Sequence, residues 1–184
     1  FVKTRLNEIS NNFLQLAEKS VVEIEKASEI IISSLKDNGK IMFCGNGGSA
    51  ADAQHLSAEL IGRYLKDRQP LSAMALTTDS STITAISNDF SFKEIFSRQL
   101  ISIGKQGDVL YAISTSGKSE NIISCLSVAK NLGIKTIGVT GDNSNLDGLC
   151  DIIIKAPASR PDRIQEMHIA IGQIICEIIE EKLC

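Results

Sequence analysis

His55 and Glu59 stand four residues apart in an Ala-rich stretch, so on a helix an imidazole and a carboxylate face the same space. Such a pair can ligate one metal ion from adjacent turns, or it can move a proton. The same spacing is also common among exposed, purely structural helix pairs. Asp52, three residues before His55, also falls at helical spacing. Just upstream, Gly45, Asn46, Gly47 and Gly48 follow four mostly apolar residues, Ile41 to Cys44. That run permits the tight positive-φ backbone that bulkier residues resist, and Ser49 is placed to cap the helix that follows. Amides at a helix N-terminus lack intrahelical partners, so strand, glycine turn and helix start together offer a place for a polar or anionic ligand.

A second loop has the same character. Ser114, Thr115, Ser116, Gly117, Lys118 and Ser119 follow the strand-like DVLYAI and open another helix. Hydroxyl donors and free amides suit a phosphate, and the plain alternative is a Ser-rich turn with an N-cap. Two such loops at corresponding strand ends favour the phosphate. A nucleotide P-loop needs a glycine five residues before Gly117, where Ala112 stands. Gly45, Gly47 and Ala50 imitate a dinucleotide fingerprint, but the acidic residue expected about 20 positions on is Asp67, ahead of the second strand instead of at its end. Both nucleotide readings fail.

The last long apolar-periodic stretch adds Gln165, His168 and Gln173. At 100° per residue, Gln165 and Gln173 differ by about 80° and can share a site, whereas His168 and Gln173 differ by about 140°. His168 therefore reads as a satisfied structural histidine. Asn88-Asp89 reads either as a sugar-hydroxyl contact or as a helix end with a turn.

These residues require an alternating scaffold. Apolar stripes predict helices across 1–37, ended by Asn38-Gly39. From residue 40 the pattern predicts strand 40–44, helix 49–66, strand 71–76, helical 79–87 and 91–103, strand 108–113, helix 119–132, strands 135–140 and 151–155, and helix 161–183. This is an α/β pattern: a doubly wound parallel sheet in an αβα sandwich, with ligands beyond the carboxyl ends of the strands. Those ends carry CGNGGS, TTDSS, STSGKS and TGDNS. The first helix has little sheet to cover, so residues 1–37 are expected to contact a neighbouring subunit as part of a single domain whose main body is 38–184.

At 184 residues, 43% hydrophobic and 22% charged, the chain is long enough for one core of its own. A net charge of −3 with scattered Lys and Arg argues against a nucleic-acid face. The five cysteines form no close pair, which points to a reduced, cytoplasmic setting. No apolar run approaches a membrane span, and the opening does not read as a signal peptide.

Taken together, CGNGGSAADAQH at 44–55, AEL at 58–60, GRY at 62–64, ALTTD at 75–79, ND at 88–89, FSRQ at 96–99, ISTSGKS at 113–119 and RIQEMHI at 163–169 resemble the sugar isomerase (SIS) domain family. Within it they are most similar to the branch acting on sedoheptulose 7-phosphate. The resemblance implies an αβα domain with an N-terminal helical pair, assembled as a homotetramer with active sites between subunits. It implies conversion of D-sedoheptulose 7-phosphate to D-glycero-D-manno-heptose 7-phosphate through an enediol, the first step towards bacterial surface heptoses. By motif, Asn46, Gly47, Gly48, Ser49, Asn88, Asp89 and Gln165 would contact substrate, with Glu59. Ser114, Thr115, Ser116 and Ser119 would hold the phosphate. One zinc ion per subunit would be bound by His55, Glu59, Gln165 and the residue eight further on.

That residue is a histidine in the family and Gln173 here. Glu59, His55 and the residue at 173 would carry the acid–base chemistry, and a glutamine amide does not titrate near neutral pH. The departure keeps a second reading open: a non-catalytic SIS-domain protein, similar to the one that associates with the replication initiator DnaA. That relative lacks a carboxylate at the position of Glu59, so Glu59 favours the enzyme.

Overall fold

The computed structural model describes residues 1–142 and 146–184, so Asn143 and Ser144 of the TGDNS turn lie outside the described residues. Helices α1 (Val2–Lys19) and α2 (Val21–Lys36) meet at Ser20. After α2, Asn38 takes φ 59°, the Gly39 amide donates to the Ser34 carbonyl and the Asn38 amide to Leu35. This Schellman closure satisfies orphan carbonyls of the helix end.

Strands β1 (Ile41–Gly45), β2 (Ala73–Ala75), β3 (Val109–Ile113), β4 (Lys135–Gly141) and β5 (Ile152–Ala156) form one parallel sheet in the order β2-β1-β3-β4-β5. Successive side chains alternate between faces. Ile41, Phe43, Val109, Tyr111, Ile137 and Val139 pack under α2, α3 (Gly48–Ile61) and α7 (Pro161–Leu183). Met42, Cys44, Leu110 and Ala112 pack against α5 (Ser97–Ile103) and α6 (Glu120–Asn131) on the opposite face. Both faces are covered, as continuous apolar strands require. Helix α4 (Ser80–Asp89) follows β2 and is capped by Asp79, which accepts from the Thr82 amide.

Three expectations need correction. The helix from the glycine loop ends at Ile61, short of residue 66, because Gly62 closes it and the chain turns onto α7. The segment 91–103 is divided into a 3-10 turn (Phe92–Glu94) and α5, with Ile95 and Phe96 buried at the break. Ser49 does not cap α3: Gly47 holds the cap position at φ 56°, and Ser49 lies buried in the first turn. Within that loop Gly47 alone takes the positive φ, and glycine adopts it without the Cβ clash of other residues.

Candidate active site

The strand order reverses between β1 and β3, and crevices at such points receive ligands in open α/β sheets. Gly45 pairs in register with Ile113, so the loops that follow, 46–48 and 114–119, lie side by side. In the first loop the Ser49 amide donates to the Asn46 carbonyl, and the Ala50 and Ala51 amides donate to the Gly47 carbonyl. The amides of Gly47 and Gly48 precede those bonds and face away from the helix.

In the second loop Ser114 is 4% exposed, its hydroxyl accepts from the Gly117 amide, and it lies 3.3 Å from the Ser119 hydroxyl. Ser114 thus builds the loop from within. The Ser116 hydroxyl accepts from the Lys118 amide, Gly117 turns at φ 64°, and Thr115 receives the Gly141 amide at its carbonyl. Ser119 occupies the cap position of α6 without a capping hydrogen bond from its side chain. The open groups of this loop are the Thr115 and Ser116 side chains and the first amides of α6.

Helix α3 carries the reactive pair. His55 Nε2 lies 2.9 Å from Glu59 Oε1, and both remain accessible, with side-chain exposures of 49% and 22%. One turn back, Asp52 is half-buried; burial pushes its carboxyl above the ordinary range, and His55 pulls it partly back. Helix α7 runs beside α3 in the same direction. A Cβ on Gly48 would meet Gln165 Nε2 at 2.9 Å, and one on Gly172 would meet Leu56 Cδ1 at 2.4 Å. Gln165 therefore sits at the glycine loop, while Gln173, half-buried, lies level with the His55–Glu59 turn.

The far end of α3 is held by a network with no local sequence signal. Glu180 on α7 is 2% exposed and accepts from the amides of Tyr64, Leu65 and Lys66 and from Arg68 Nε. Arg68 in turn donates to the carbonyls of Glu59 and Leu60, in the last turn of the helix that carries the candidate base. Burial pushes the Glu180 carboxyl up, but these four donors outweigh it and hold it below the ordinary range.

Other sequence-predicted residues fall elsewhere. Asn88 and Asp89 end α4, exposed, with Asn88 Nδ2 donating to Asp89 Oδ1. No hydrogen bond among the described residues joins them to either loop. His168 is not satisfied as expected: it is 1% exposed, and neither ring nitrogen has a hydrogen-bond partner among the described residues. Burial lowers its pKa to about 4 against a smaller opposing effect of the Thr140 backbone, which lies near without hydrogen-bonding geometry.

Comparison with known proteins identifies the family. The pattern of the SIS domain matches residues 6–141. A phosphoheptose isomerase of Rhodospirillum rubrum is 51% identical over 162 residues, 88% of this chain and 86% of the relative. One from Nitratiruptor sp. is 49% identical over 98% of this chain and 97% of its own length. Among solved structures, a phosphoheptose isomerase from Francisella tularensis superposes with a TM-score of 0.94 at 34% identity, covering 98% of this chain and 96% of that one. Another, from Neisseria gonorrhoeae, gives 0.93 at 38% identity, covering 98% and 97%.

Proposed function

The chain belongs to the SIS domain family, and we propose that within it the protein is a ketose–aldose isomerase that interconverts D-sedoheptulose 7-phosphate and D-glycero-D-manno-heptose 7-phosphate. The carrying observation is the His55–Glu59 pair on the helix that springs from the ligand loop at the β1/β3 reversal. A binding protein needs no carboxylate there, and the near full-length likeness to phosphoheptose isomerases does not favour that alternative.

Isomerisation moves one proton between adjacent carbons. In this reading the Glu59 carboxylate takes a proton from C1 while the C2 carbonyl becomes a hydroxyl, giving the enediol. Returning a proton to C2 while the C1 hydroxyl proton leaves yields the aldehyde, with no net gain or loss of atoms or electrons. His55, within hydrogen-bond distance, orients the carboxylate and exchanges protons with the substrate oxygens. Backbone amides at 46–48 and Gln165 hold the sugar end, and the Thr115 and Ser116 side chains with the first amides of α6 hold the phosphate. Gln173 can donate and accept hydrogen bonds but cannot supply a titrating proton.

The donor set fits zinc weakly. His55 and Glu59 are preferred ligand types set side by side, whereas Gln165 and Gln173 offer only neutral amide oxygens. These four residues would hold the ion, one per subunit. When bound it would polarise the substrate oxygens.

Assembly as a tetramer with sites between subunits is part of the proposal. Support comes from α1 and α2, where Leu6, Leu14, Val21 and Val22 are exposed. Beside them an apolar groove of about 340 Å³ is lined by Phe13, Leu16, Ala17, Ile24, Ile174 and Ile178. No helix among the described residues is long and apolar enough to cross a membrane, and we place the enzyme in the cytoplasm. The deciding experiment supplies sedoheptulose 7-phosphate with zinc and follows the aldose product. Aldose formation is expected, and no conversion at any metal loading overturns the assignment.

A further inference from the structure

Asn46 and Asn121, 75 residues apart in sequence, form a reciprocal pair. Asn46 Nδ2 donates to Asn121 Oδ1 at 2.9 Å, and Asn121 Nδ2 donates to Asn46 Oδ1 at 2.8 Å. Asn46 belongs to the glycine loop after β1, and Asn121 lies in the first turn of α6, directly after the hydroxyl loop of β3. Asn121 is 3% exposed, so little water competes for its bonds. A single hydrogen bond would leave a hinge between the loops. Two antiparallel bonds between planar amides fix both their separation and their tilt.

We infer that Asn121 is a positioning residue, and that with Asn46 it forms a strut setting the distance between the two ligand loops. The Asn46 amide turns its paired edge to Asn121, so the substrate is met there by the backbone of 46–48 instead of by the Asn46 side chain. The inference rests on the sugar-phosphate reading of the site. A substrate held by its phosphate at one loop and reacting beside the other needs their spacing fixed, because small misplacements of reacting groups are costly.

The test is a mutant cycle of Asn46→Ala, Asn121→Ala and the double variant, with Asn121→Ser as a milder substitution that keeps a hydroxyl. Sedoheptulose 7-phosphate affinity is measured by calorimetry, and thermal midpoints are recorded alongside. Each alanine variant is expected to raise Kd by roughly ten- to hundred-fold, since each removes the same two hydrogen bonds, and the serine variant by less. The double variant is expected to be no worse than either single one. Multiplying effects, with Asn46→Ala the larger, would mean that the Asn46 side chain reads substrate directly, and would overturn the strut. Lower midpoints with unchanged Kd in all variants would reduce the pair to a purely structural contact. Amide hydrogen exchange tests the coupling without ligand: Asn121→Ala should speed exchange at 46–48, and Asn46→Ala at 117–121. No change across the loops overturns the strut even if the unmodified protein binds no sugar phosphate, an outcome that would separately reject the functional reading.

Discussion

At the amino ends of the strands, Asp108 is wholly buried and accepts from the Lys40 amide, the Lys40 ammonium and the Lys105 amide. Asp151 likewise accepts from the Thr136 amide and hydroxyl and from Lys135. Burial raises the Asp151 carboxyl, but these donors outweigh it and hold it below the ordinary range. At the carboxyl ends of the same sheet the first loop amides lack helical partners, and further along α3 the His55–Glu59 pair stays accessible. Acidic groups that each accept three hydrogen bonds from neighbouring strand ends fasten those strands together. Glu59, near the far end of the helix that leaves the carboxyl ends, keeps acceptor capacity for a substrate proton.

The largest effect should come from disturbing the open end. Glu59→Gln is expected to lower kcat by roughly 10²–10⁴ with little change in thermal midpoint. Gln173→His should move the other way, raising kcat by a comparable factor and tightening zinc retention, with Kd for substrate nearly constant. Glu59→Gln in that background should remove the gain. Assays with zinc supplied, alongside metal analysis, check all three. Full activity of the unmodified chain, undiminished by His55→Ala, would show that the roles are misassigned.

The closed end should respond in the opposite currency. Asp108→Asn leaves the Lys40 ammonium without its partner and is expected to cost about 1–3 kcal/mol, a drop of several degrees in midpoint. Activity per folded molecule should not change. A fall in kcat with an intact midpoint would erase the distinction between the two ends.

The sequence made the scaffold legible because its signals are local. Apolar runs between amphipathic stretches located every strand, and the glycine and serine loops marked the ligand side. What stayed hidden depends on partners far along the chain. Arg68 and Glu180 are 112 residues apart, and nothing around either residue announces a buried ion pair that closes α3. Asn121 looked like any polar residue in a first helical turn. Ser49 had the right type and place for a cap, but Gly47, with its positive φ, takes the cap position two residues earlier.

His168 provides a contrast of its own, a titratable group buried in neither polar cluster. Its pKa of about 4 lies below the ordinary 6.5, so the folded state resists protonation that the unfolded chain accepts. The stability this gives is fully present above pH 6.5 and is lost as pH falls towards 4, at up to roughly 1.4 kcal/mol per pH unit. His168→Leu should flatten that part of the stability–pH curve, as read by denaturant unfolding between pH 4 and 7. An unchanged slope would place the acid sensitivity in another group.

The smallest change in stability should come from Gly48→Ala, and it separates fold from site most sharply. Gly48 is the first residue of α3 and needs no positive φ, so alanine suits its backbone and adds helix propensity. The new Cβ would lie 2.9 Å from Gln165 Nε2 and 3.0 Å from Cδ, the end of a flexible side chain that can swing aside. The midpoint should therefore stay within a degree or two, since a gain and a loss of a few tenths of a kcal/mol offset each other. Gln165, however, can no longer rest against the glycine loop. If its amide holds the sugar end, KM should rise several-fold while the fold is untouched, and Gln165→Ala should show a similar rise. An unaltered KM in both variants would remove Gln165 from the site.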